Sequence, residues 1–385
     1  MTEHTTVVVI GGGYAGTLAA NHLRLREDVD VTLVNPRPEF VERIRLHQFV
    51  AGTGTATVDY GSLLGEGVRL VVDSATYLDT TARTVQLASG RLLDYDYLIY
   101  AVGSTTGMPA TVPGIEFAFP IAELEAAQRL RDALADLPTD APVTVVGGGL
   151  TGTEVTAELA DLGRPVTQVC GGALAPPLSE PGRRSVAKWL TRHGVTVLQD
   201  VAVTEIRPDE VVLTDGTTRP SALTIWTAGF GVPVLATASG LHTDALGRLL
   251  TDETLTSIDD DRVIAAGDAA APSGRPLRMS CQAAAPLGAQ AANTVLSRIA
   301  GTEPAVIDQG FTGSAISLGR RAGTLQLARR DDTSIDYHVG GRLGAALKEG
   351  ACRLALWGIR REAAKPGSVF WTRGGRRSDQ FEGAR

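Results

Sequence analysis

Two glycine clusters stand 136 residues apart in this chain. Gly11-x-Gly13-x-x-Gly16 follows the apolar run VVVI, and Gly147-x-Gly149-x-x-Gly152 follows VTVV. In such a pattern the first glycine permits a tight turn and the second lets the backbone approach a pyrophosphate. The third lets the following helix pack on the strand. The helix start behind each turn offers free N–H groups and the positive end of its dipole to phosphate. Both clusters lie between an apolar run and a helical pattern, so both read as dinucleotide-binding turns.

An acidic residue normally ends the second strand of such a unit and binds the ribose hydroxyls. The first copy has Asn35 there, which can still donate and accept. The second has Cys170, which does this poorly. Arg183 and Arg184 follow 13 and 14 residues later; they either meet a 2′-phosphate or are solvated at a helix start. Glu154 and Glu158 are four apart and share a helix face. His47 lies in FVERIRLHQFVAG with Arg43 and Arg45, and titrates in the physiological range. Asp268 follows Gly267 at a strand end, in AAGDAAA.

These residues need a scaffold, and the surrounding pattern supplies one. Residues 6–34 read as strand, turn, helix, strand, with continuous apolar runs as in parallel strands buried on both faces. Residues 142–170 repeat the unit, and the short strands of 195–229 mirror those of 68–103. DRVIAAGDAAA at 261–271 reads as one more strand of the first domain. The expected fold is α/β: two Rossmann-like three-layer domains, the second inserted in the first, plus a small α+β C-terminal domain. The boundaries read as 1–112 with 240–305, then 113–239, then 306–385.

The chain has 385 residues, 43% of them hydrophobic and 21% charged, with a formal charge of −7 that argues against nucleic acid as a partner. Residues 340–385 hold ten Lys/Arg against four Asp/Glu, so residues 1–339 carry −13. Cys170, Cys281 and Cys352 are too far apart in sequence for a CxxC or CxxxxC pair, which speaks against a redox disulfide or a thiolate zinc site. Residue 1 leads almost directly into a strand, so no signal peptide and a cytoplasmic location are expected.

The two turns, YAVGS at 100–104, WTAGF at 226–230 and AAGDAAA at 265–271 together resemble the two-dinucleotide-binding-domain flavoproteins. The likeness is greatest to type II NADH:quinone dehydrogenases and to the ferroptosis-suppressor and apoptosis-inducing-factor-like reductases, over roughly residues 5–305. It implies that FAD is held by Gly11, Gly13, Tyr14, Ala15 and Gly16, by Asn35, Pro36, Arg37 and Arg43, and by Ala101, Val102, Gly103, Gly267 and Asp268. NAD(P)H then falls to Gly147, Gly149, Leu150, Thr151, Gly152, Glu154, Ala228 and Gly229. Glu154 matches the glutamate of the family's Gly-x-x-Gly-x-Glu motif, near nicotinamide and flavin. His47, where related disulfide reductases carry cysteines, becomes a flavin-edge candidate. Gln282, in SCQAAAPLG, matches part of the quinone element, although Leu287 replaces its second glutamine and Cys281 an alanine.

The activity implied is hydride transfer from NAD(P)H to FAD, then electron transfer to a quinone-like or other small apolar acceptor without a dithiol. Three alternatives stay open: a flavoenzyme for one biosynthetic intermediate, a reductase of a protein electron carrier, and an FAD-binding sensor with a decayed nicotinamide site. The C-terminal helix from about 342 to 361 carries Leu343, Leu347, Ala351 and Leu354 on one stripe, with basic residues elsewhere. That stripe is expected to dock on the protein body or a second copy, with a peripheral membrane contact as the other use.

Overall fold

A computed structural model describes residues 4–375 and 377. Thr5–Ile10 is the central strand of a five-stranded parallel sheet in the order Val263–Ala265, Tyr97–Tyr100, Thr5–Ile10, Val29–Asn35 and Val68–Val72. Val7, Val8 and Val9 have no more than 1% exposure, because helices and a second layer cover both faces. An all-parallel sheet explains the unbroken apolar runs, which an alternating pattern would not supply.

The second sheet repeats this order strand for strand: Ala118–Pro120, Leu223–Trp226, Val143–Val146, Val166–Val169 and Thr196–Leu198, again all parallel. Each domain also carries a three-stranded antiparallel sheet, 75–94 in the first and 203–220 in the second. Val263–Ala265 does join the first sheet at its edge, beside Tyr97–Tyr100, so the second domain interrupts the first. Where the chain crosses and returns, Thr105–Thr106 pairs antiparallel with Phe230–Gly231. Val232, Leu235 and Ala236 already pack in the first core, several residues ahead of the expected return at 240.

The C-terminal part is a three-stranded antiparallel sheet, Gly313–Leu318, Ala322–Ala328 and Ser334–Gly340, followed by the helix Gly341–Ala364. The helix packs on this sheet and on the phosphate-turn helix Tyr14–Leu23. The stripe does not dock on the protein body. Leu343 is 61% and Leu354 54% exposed, while Gly344, Cys352, Ile359 and Glu362 point inward. Close approach explains the choice: a Cβ on Gly344 would lie 2.3 Å from the Gly323 carbonyl oxygen, so only a small-residue face fits against the sheet. The far end of the helix is pinned by buried Glu362, which meets His22 Nδ1 at 2.6 Å and accepts from the Gly367 and Val369 N–H groups. No helix among the described residues is long and apolar enough to cross a membrane.

Candidate functional site

The two glycine turns have the same internal geometry. A Cβ on Gly11 would lie 2.3 Å from the Ala101 carbonyl oxygen, and one on Gly147 2.3 Å from Thr227 Oγ1. One on Gly16 or Gly152 would strike the carbonyl of the first glycine. Those positions are packing glycines. Gly13 and Gly149 differ, because nothing lies within 4 Å of a Cβ built there. Each middle glycine therefore leaves open space in front of a helix start, where Tyr14–Leu23 and Leu150–Asp161 begin without a side-chain cap. The arrangement fits phosphate, which takes up the uncapped N–H groups.

Both turns flank one cavity of about 230 Å³ between the domains. From the first domain it is lined by Gly13, Tyr14, Ala15, Arg43, His47, Ala101, Gly103, Gly267 and Asp268, and from the second by Thr151, Glu154 and Gly229. The Tyr14 hydroxyl is buried there without a partner, an opening for a polar group of a bound cofactor. Asp268 is oriented by Ser104, whose hydroxyl donates to its Oδ2 at 2.6 Å, and Arg43 in turn donates to Ser104 at 3.1 Å. Gly11, Gly16, Val102, Gly147, Gly149, Leu150, Gly152 and Ala228 do not line the cavity. The helix Cys281–Ile299, capped by Ser280, aims its positive end at the same space, since Ser280 and Cys281 line it.

One wall of the cavity is a charged network. Lys348 Nζ lies 3.0 Å from Glu154 Oε1 and donates to the Ala315 carbonyl at 3.1 Å. The Ser317 N–H donates to Glu154 Oε1 at 3.0 Å, and Ser317 Oγ is 2.8 Å from His47 Nε2. His47 Nδ1 is 3.8 Å from Glu154 Oε2. Burial pushes the His47 pKa down to about 4, against the attraction of Glu154, so the ring is neutral at pH 7. Burial alone would raise the Glu154 carboxyl, but Lys348, His47 and the Ser317 N–H hold it below its ordinary range. Burial opposes the Lys348 ammonium too; the Glu154 carboxylate outweighs that and raises it. The wall is an ion pair with a neutral imidazole beside it. Glu158, one turn on, is buried away from this network and bonds Thr53 and Arg320.

The strand ends behave differently from each other. Asn35 is spent on its own turn: its Oδ1 accepts from the Gly12 N–H and its Nδ2 donates to the Arg37 carbonyl. Pro36 follows directly, and Arg37 bonds Glu125 of the second domain. In the second domain the Cys170 loop is laced to the end of the next strand. Cys170 N–H donates to Leu198, Gly171 to Val201 and Asp200 to Gly172. The Cys170 thiol is pushed up to about 11, by burial first and then by the charge of Asp200. An acid, Asp200, thus stands near Cys170, in the loop that follows the strand Thr196–Leu198. Arg184 pairs with Glu180 on the surface, the solvated alternative.

Gln282 does not reach the cavity. Its side-chain amide lies 2.6 Å from Thr312 Oγ1, and its neighbours Cys281 and Ala284 face inward instead. One residue rotates a helix position by about 100°, so a match at Cys281–Gln282 turns the amide aside. Gly288 of the same element has a packing reason: a Cβ there would sit 2.1 Å from the Ala15 carbonyl oxygen. Lys348 was not foreseen, because its spacing puts it among the polar residues of an amphipathic helix. Ser317, from a strand with no motif, carried no signal either.

Residues 5–288 match the family described as pyridine nucleotide-disulphide oxidoreductase, and the chain belongs to it. It does so without a cysteine pair in the segment 40–52. A NADH dehydrogenase-like protein of Mycobacterium tuberculosis is 32% identical over 326 residues, covering 76% of this chain and 80% of that protein. A type II NADH:quinone oxidoreductase of Haemophilus influenzae is 26% identical over 69% of this chain and 73% of its own length. Among solved structures, NDH2 from Plasmodium falciparum in complex with NADH superposes with a TM-score of 0.77 at 16% identity, over 96% of this chain and 100% of that one; it shares the fold.

Proposed function

We propose that this protein is a flavin-dependent NADH dehydrogenase: hydride passes from NADH to FAD, and the electrons go on to a small apolar, quinone-type acceptor without a dithiol relay. The observation that carries this reading is that the first dinucleotide turn, through Gly13, Tyr14 and Ala15, and the second, through Thr151, line one cavity, walled by the buried Glu154–Lys348 pair. The relatives named above support it.

Gly13, Tyr14, Ala15, Arg43 and Asp268 would hold FAD, and Thr151, Glu154 and Gly229 the nicotinamide end of NADH. Bound FAD supplies a ring that accepts a hydride and releases two electrons. The chain's own task is to align donor and acceptor and to exclude water. The Lys348 ammonium keeps a proton donor at the wall, in the role that Gln282 does not fill. Neutral His47 and Ser317 fix the Glu154 carboxylate, so the charge there does not wander. Asp200 beside Cys170 favours NADH, since a 2′-phosphate would meet a carboxylate.

The exposed stripe Leu343, Leu347, Leu354 and Trp357, with Arg342, Arg353, Arg360 and Arg361 on the same helix, suits an anionic membrane surface, where an apolar acceptor partitions. The test of the activity is anaerobic stopped-flow spectroscopy of the flavin-loaded protein. Rapid bleaching with NADH, slower bleaching with NADPH, and recovery with a short-chain quinone are expected. Flavin that neither nucleotide reduces would sink the proposal.

A further inference from the structure

A second cavity, of about 440 Å³, shares Lys348 with the first. It is formed by the turn Gly319–Arg321 of the C-terminal sheet, the first two turns of the helix Gly341–Ala364, and Gln48. Arg320, Arg321, Arg342 and Lys348 line it, against the single acid Glu349. That acid is already spoken for: Arg45 and Arg353 both bond it, and the Arg45 bond first of all brings its pKa down to about 2. Arg320 is paired with buried Glu158, and its N–H is held by Asp161, which anchors the turn. Arg321 and Arg342 have no ion-pair partner among the described residues. The lining therefore carries uncompensated positive charge, in a chain whose first 339 residues carry −13.

Solvated arginines commonly scatter over a surface, and scattering needs no ligand. These converge on one concave space from two different elements, with Lys348 in its wall. Guanidinium groups recognise oxyanions through paired N–H donors, and carboxylate or phosphate oxygens match that fork. We propose that this cavity is a binding site for a compact oxyanion of the phosphate class, gripped by Arg321 and Arg342 and reaching toward Lys348. Phosphate has two sources, a free soluble anion or the headgroup of an anionic lipid, and the chemistry of the grip is the same for both. Lys348 lines both cavities, so an anion in this one competes with Glu154 for its ammonium. This coupling rests on the redox reading of the first cavity, whereas the binding does not.

The experiment is calorimetric titration of the flavin-loaded protein at constant ionic strength, set by sodium chloride. One arm uses inorganic phosphate and the other dihexanoyl phosphatidylglycerol below its micelle concentration. Saturable binding of either probe is expected, weakened roughly tenfold or more in an Arg321→Gln/Arg342→Gln variant. That variant should keep its flavin absorbance and thermal midpoint, since neither arginine supports the fold. Tighter binding of the lipid than of phosphate identifies a headgroup site, and the reverse a free-anion site. No saturable binding in either arm, or equal binding by the variant, overturns the proposal. In a separate reading, saturating ligand should move the acid limb of the flavin-reduction profile to higher pH, because Glu154 loses part of its hold on Lys348.

Discussion

Lys348 Nζ and Glu154 Oε1 meet at 3.0 Å, joining the C-terminal helix to the second nucleotide helix at the wall of the cofactor cavity. Neither charge is tolerable there alone, and removing one partner of a buried pair costs about 3–5 kcal/mol. Lys348→Met should accordingly lose stability of that order in urea unfolding and slow turnover sharply. Adding Glu154→Gln should recover most of the stability but not the turnover. A Lys348→Met protein with wild-type unfolding would contradict the pairing.

His47 makes stability depend on pH. Its folded pKa is lowered to about 4, while the unfolded ring protonates near its ordinary value of 6.5. Between those values the unfolded state binds more protons. The contribution is complete above pH 6.5, is lost as pH falls toward 4, and changes no further below. Urea midpoints of wild type and His47→Gln should therefore converge across that window as the pH drops, and parallel curves would rule this out.

The open space at the middle glycines allows the two nucleotide sites to be closed separately. Gly13→Val should give a folded protein without yellow colour. Gly149→Val should keep the flavin and lose its reduction by NADH. Circular dichroism checks the fold, and loss of flavin from Gly149→Val would mean that the roles of the turns are assigned wrongly.

The proposed preference for NADH over NADPH rests on Asp200. A carboxylate near a 2′-phosphate repels it by about 1 kcal/mol at water-like screening, roughly fivefold. Asp200→Asn should raise kcat/KM for NADPH by about that factor, with a smaller change for NADH. An unchanged ratio would place the acid out of reach of the ribose.

The exposed helix stripe is checked by co-sedimentation. Leu354→Glu should reduce binding to vesicles of anionic lipid several-fold and leave the flavin spectrum alone, because Leu354 is 54% exposed. Equal sedimentation of the variant would remove the membrane reading.

Much of the scaffold could be read from the residues. The glycine turns and the unbroken apolar runs declare parallel strands buried on both faces, and their recurrence declares the doubled domain. Asp268, Glu154 and His47 were visible as candidates because each sits in or near a motif. Gln282 turns away from the cavity, and a pattern match does not say which way a helix is turned. That the stripe does not face the protein body has a related reason: leucines at helical spacing mark an apolar face, but the close approach of the helix to the sheet at Gly344 decides which face goes inward.

The sequence by itself determined the local machinery, turn by turn, because a phosphate turn is made by residues within a few positions of one another. Only the tertiary structure decided what stands opposite those turns. Lys348 and Ser317 come from elements with no motif of their own, and they matter only through residues far away in the chain. Their distances, burial and charge pairing are set by packing between domains, which no local spacing records.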